Sequence, residues 1–74
     1  MKISSDVESP HYVRRPVRVM VDGEDIQDVI DADDEVGVVV VLDRKEVARL
    51  LDEGVDVDEY PVRELYGRVD IILL

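Results

Sequence analysis

Between Val17 and Leu42 apolar residues recur at every second position, and Asp22-Gly23 interrupts them where a hairpin would reverse the chain. Successive side chains of a strand point to opposite faces, so this period of two predicts strands that each bury one face. Val17, Val19 and Val21 share one face of the first such strand, with Arg18 and Met20 on the other. Pro16 donates no ladder hydrogen bond, so this strand is expected to start there or to lie at a sheet edge. Glycine at 23 readily takes the positive φ of a tight turn. A shorter, more polar second strand follows, in which Ile26 and Ile30 alternate with Asp28, and it ends near Ala32 before the charged turn Asp33-Asp34-Glu35. Val36, Val38, Val40 and Leu42 then line one face of a third strand and Val39 and Val41 the other, which predicts a central strand covered on both sides.

Asp43 opens the one clear helical segment. Its carboxylate is placed to cap free amides, and Glu46 stands where it would complete a capping box. Val47, Leu50 and Leu51 form an apolar stripe at helical spacing, and Gly54 supplies the left-handed residue that ends the helix. This helix is expected to cover one sheet face and to supply most of the core. Pro61 begins a single helical turn through Glu64 and Leu65, stopped at Gly67. Val69, Ile71 and Leu73 then alternate with Asp70 and Ile72 in a last strand, which pairs within the domain or with another subunit, and the run Ile71 to Leu74 calls for cover. The expected fold is therefore α+β: a small antiparallel β-meander of three to four strands packed against one α-helix. Residues 1–12 read as a flexible N-terminal arm with Ile3 able to dock, and residues 13–74 as a single domain.

At 74 residues without a cysteine, the chain sits near the size at which one apolar core offsets chain entropy unaided. The longest apolar run, Val36 to Leu42, is too short to cross a bilayer, and a cytoplasmic setting is expected. Nineteen acidic against nine basic residues give a formal charge of −10, which opposes binding to nucleic-acid phosphates or anionic lipid. The charge is uneven: Lys2, Arg14, Arg15 and Arg18 stand against Asp6 and Glu8 in the first twenty residues. Pairing of these arginines with carboxylates such as Asp22 or Asp28 is the expected outcome, with a basic recognition strand as the alternative.

The residues that usually carry chemistry are sparse. His11 is the only histidine, and the serines Ser4, Ser5 and Ser9 lie in the same arm, none of them in a nucleophile elbow. Gly23, Gly37, Gly54 and Gly67 are too far apart to cradle a phosphate with successive amides. Asp31, Asp33 and Glu35 have the alternate spacing that opens a calcium loop, but Val36 stands where that loop needs glycine and Leu42 where it needs its closing glutamate. Asp56, Asp58 and Tyr60 begin the same spacing with no better continuation. No catalytic, cofactor-binding or metal-ligating residue is assigned, and the chain is expected not to be an enzyme.

The opening MKISSD, the hairpin VRVMVDGEDIQDV and the closing GRVDI resemble the layout of small uncharacterised proteins encoded in bacteriophage and prophage genomes. The resemblance implies a virus-associated, non-enzymatic protein of the host cytoplasm or virion, and it transfers no functional residue. The function expected from the residues is a non-catalytic interaction or assembly module, bound to a protein partner or to its own copies. Arg14, Arg15 and Arg18 on the first strand, and Ile71 and Leu73 on the last, are its candidate interface residues. The alternative is an acidic decoy that occupies the basic groove of a DNA-binding protein, using the carboxylates from Asp22 to Glu35.

Overall fold

The computed structural model describes residues 1–56 and 59–74. Two antiparallel sheets face one another across a valine-rich core. The larger sheet contains β1 (Lys2–Ser4), β4 (Val29–Asp33), β5 (Val38–Leu42) and β6 (Val62–Tyr66), in the order β1-β4-β5-β6. The smaller contains β2 (Val17–Val21), β3 (Glu24–Asp25) and β7 (Val69–Leu73), in the order β3-β2-β7. A single helix, α1 (Arg44–Asp52), connects β5 to β6. The α+β class expected from the sequence is what the chain adopts.

The Asp22-Gly23 turn forms as its residue types dictate, with φ of 51° and 84° and Val21 paired to Glu24 across it. Positive φ at both central residues gives the hairpin twist that matches its strands. The expected second strand, however, is two. β3 ends at Asp25, Asp28 adopts φ 59°, and β4 begins at Val29 in the other sheet. Aspartate tolerates this left-handed conformation better than most side chains, and the turn it makes carries the chain across the sandwich. A bulge between Val29 and Asp31 completes the change of direction.

The core consists of Ile3, Val19, Val21, Ala32, Val39, Val41 and Val69. Register explains its composition. Val19 lies opposite Ile71 and Val21 opposite Val69 in the smaller sheet, while Ile3, Ala32, Val39 and Leu65 align across the larger one. Val39 is wholly buried, and a fully buried valine of this kind contributes about 2 kcal/mol of transfer free energy.

The helix does not play the part expected of it. Asp43 caps it by accepting from the Glu46 amide at 3.1 Å, and Gly54 follows at φ 75°. The reciprocal half of the capping box is absent, because the Asp43 amide donates to the Pro61 carbonyl at 2.9 Å and the Glu46 carboxylate pairs with Arg49. No residue of α1 belongs to the core; Val47 and Leu50 are half-buried and Leu51 is 61% exposed. The physical reason is competition for one surface: β2 and β7 already carry the alternating apolar face that closes over β4 and β5. Among the described residues no helix is long and apolar enough to cross a membrane.

Ile3 docks in the core as expected, on β1 of residues 1–12, and the following turn is tied back by Ser4 N–H to His11 O at 2.9 Å and Ser5 N–H to Ile30 O at 2.8 Å. Two further expectations give way. The helical turn expected after Pro61 is instead β6, because Arg63 and Leu65 alternate with Val62, Glu64 and Tyr66 in register with β5. β5 is central, but its two sides are covered unequally: Val39 and Val41 are buried, whereas Val38, Val40 and Leu42 are half-buried.

Candidate functional site

The outer face of the larger sheet carries the most coherent apolar surface that the fold leaves open. Val38, Val40 and Leu42 form its central column, and register sets Tyr66, Glu64 and Val62 beside them on β6. Val36, at the top of the column, is 72% exposed, Tyr66 67% and Val62 49%. On the opposite flank β4 presents Asp33 beside Val38 and Asp31 beside Val40, with Lys2 beyond Asp33. Lys2, Asp31, Asp33, Val36, Val38 and Val40 enclose a shallow depression of about 290 Å³. The result is an aliphatic strip with acidic margins. The Tyr66 hydroxyl donates to the Glu64 carboxylate on this face, and that bond, reinforced by the carboxylate charge, pushes the phenol pKa up.

The edge of β6 adds backbone chemistry to the strip. Gly67 N–H donates to Gly37 O at 3.1 Å, and Asp43 N–H to Pro61 O at 2.9 Å, so hydrogen-bonded pairs bracket the β5–β6 ladder at both ends. Antiparallel ladders alternate hydrogen-bonded and non-hydrogen-bonded pairs. Arg63 and Leu65 therefore bond inward to β5, while the N–H and C=O groups of Val62, Glu64 and Tyr66 point away from the sheet. β6 ends the strand order, and among the described residues no further strand lies beyond it.

The candidate interface residues taken from the sequence fall elsewhere. Arg18 is held in a bidentate pair with Asp25, at 2.6 and 2.8 Å, and the guanidinium keeps that carboxyl below its usual range. Arg15 donates to the Leu74 carbonyl at 2.9 Å, and Arg14 is exposed. β7 lies at an edge of the smaller sheet, where Ile71 packs against the core and Leu73 is 38% exposed. Ile72 and Leu74 remain exposed, so the closing apolar run is only partly covered.

The acidic stretch from Asp22 to Glu35 is largely committed to local structure. Asp22 accepts from Arg68 N–H at 2.9 Å, Asp28 pairs with Arg44 at 2.6 Å, and Asp34 with the Met1 amine at 2.5 Å. Asp33 accepts from the Glu35 and Val36 amides, and the Val36 bond is the larger cause of its lowered pKa. Two open grooves flank the crossover at Ile26 to Asp28, of about 540 and 350 Å³. Their charged walls are the Arg18–Asp25 and Arg44–Asp28 pairs, which a ligand would have to displace. His11 is exposed beside Ser9 in a shallow hollow near Asp31. Among the described residues no group of three His, Asp or Glu side chains is placed to hold a metal ion, and the Asp56-Asp58-Tyr60 spacing includes a residue outside that set.

The β6 edge is hidden in the sequence because Pro61 and Gly67 bound this segment as they would a single helical turn. The signal was present in the alternation Val62, Glu64, Tyr66 against Arg63, Leu65. Neither a family model, nor a curated protein, nor a solved structure matches this chain.

Proposed function

We propose that this chain is a non-catalytic protein-interaction module, and that the outer face of the larger sheet is its working surface. The observation that carries the reading is the half-buried column Val38, Val40 and Leu42 on a central strand, continued by the exposed Val36, Val62 and Tyr66. Contiguous apolar surface on a small domain marks an interaction site, and a tyrosine at its margin suits an anchor. Asp31, Asp33 and Glu64 border the strip, so the matching partner surface is aliphatic with basic residues around it. The charge of −10 favours such a partner over a second copy of the same chain.

Selection of binders from a displayed library of random peptides tests this. Enriched peptides are expected to bind the wild-type chain and to lose about tenfold or more in affinity on Val40→Asp, the usual scale for spoiling an interface anchor. Circular dichroism checks whether the variant stays folded. Failure to enrich any binder, or binders indifferent to Val40→Asp, would overturn the reading.

A further inference from the structure

From the ladder geometry and the local charge, we infer that the outward edge of β6 takes an extended, lysine- or arginine-bearing segment of another protein as a fifth strand of the larger sheet. This rests on the interaction reading above and names the partner's chemistry. Three outward N–H groups and three outward C=O groups, from Val62, Glu64 and Tyr66, present the alternation that an added antiparallel or parallel strand satisfies. Side chains of the added strand that point outward would extend the strip beside Val62, Glu64 and Tyr66.

Charge selects the occupant. Glu64 stands on the edge strand itself, Asp31 and Asp33 border the same sheet face, and the whole chain carries a formal charge of −10. Arg63 itself lies 4.0 Å from Asp43. A second copy is the poorer occupant: antiparallel self-pairing that uses all of β6 sets Glu64 opposite its own counterpart, and like charges directly opposed are unfavourable. β7 also lies at an edge, but its exposed Ile72 and Leu74 stand beside Arg18 and Arg15, which disfavour a basic segment there.

The test uses the full chain, isotopically labelled, titrated with a blocked seven-residue peptide that alternates lysine and valine. Amide shifts are expected to concentrate on Val62 to Tyr66 and on the neighbouring Val38 to Leu42. Glu64→Pro removes one outward donor without touching the inward ladder, and is expected to weaken binding about tenfold, the loss of one interfacial hydrogen bond. Glu64→Gln, which removes only the charge, is expected to weaken it less. The same peptide N-methylated at the alternate residues whose amides face β6 repeats the test without altering the protein, and, losing about three donors rather than one, is expected to lose more than that factor. Absence of saturable binding, shifts centred on β7, or equal affinity for the N-methylated peptide would overturn the inference. If library-selected binders lose affinity on Val40→Asp but not on Glu64→Pro, the sheet-face reading stands and the edge inference fails.

Discussion

Replacing Val39 by alanine separates a core built between two sheets from one built under a helix. Val39 is fully buried, and truncation removes the equivalent of two methylenes, about 1.6 kcal/mol of transfer free energy. The space left behind adds up to about 1 kcal/mol, because packed strands on both sides relax only in part. The expected loss is therefore about 2–3 kcal/mol. A domain of this length has about 4–11 kcal/mol in total, so the transition midpoint should fall by about 10–20 °C. Leu51→Ala supplies the contrast: it removes a larger side chain, but one already 61% exposed and outside the core cluster, and should cost less than about 1 kcal/mol. Urea denaturation followed by circular dichroism measures both, with the denaturant slope unchanged if each variant keeps the native fold. A Leu51→Ala loss equal to that of Val39→Ala would refute the reasoning, since it would place the helix over the core.

Gly37→Ala should cost about 2–3 kcal/mol, because φ is +81° and an added Cβ would lie 2.7 Å from the Gly67 carbonyl oxygen; Gly54→Ala, also at positive φ but in open space, should cost only about 1 kcal/mol, and equal losses in urea melts would contradict this. Leu65→Pro, which removes an inward ladder bond, should unfold or severely weaken the domain, whereas Glu64→Pro should leave thermal unfolding nearly unchanged; similar melting of the two would show the β6 register to be wrong. The carboxyls of Asp25, Asp28, Asp33 and Glu46 all titrate below their ordinary values of 3.8 for Asp and 4.5 for Glu, through bonds from Arg18, Arg44, the Val36 amide and Arg49 respectively. Depressed folded-state values make their contribution fully present above those ordinary values and lost as pH falls through the folded ones, so calorimetric midpoints should drop below about pH 4. Arg18→Met with Arg44→Met should shrink that drop, and an unchanged acid limb would count against these pairs.

Much of the architecture could be read from the residues, and the failures have physical causes. The Asp22-Gly23 hairpin, the central place of β5 and the helix begun at Asp43 and ended at Gly54 all rest on local preference, which is written residue by residue. The division of the second strand is not legible, because Ile26, Val29 and Ile30 break the period of two at the point where Asp28 turns the chain into the other sheet. Where the core lies is a tertiary property, which local preference does not specify. An apolar helical stripe states that a surface wants cover, not which surface provides it, and here the pairing of β7 with β2 brought a better match. The outer sheet strip was legible as Val36, Val38, Val40 and Leu42, but its exposure was not, since residues buried on one face and on two share the same valine-rich composition. The arginines of the first strand showed the limit of charge counting: Arg18 found Asp25 across the hairpin rather than a partner molecule.

Native-state amide exchange along β6, read by nuclear magnetic resonance, tests most directly the claim that this strand closes the sheet inward and leaves an open edge outward. Arg63 and Leu65 should exchange slowly, while Val62, Glu64 and Tyr66 exchange near the rate of a solvated chain. Uniform protection, or the reverse alternation, would contradict the account.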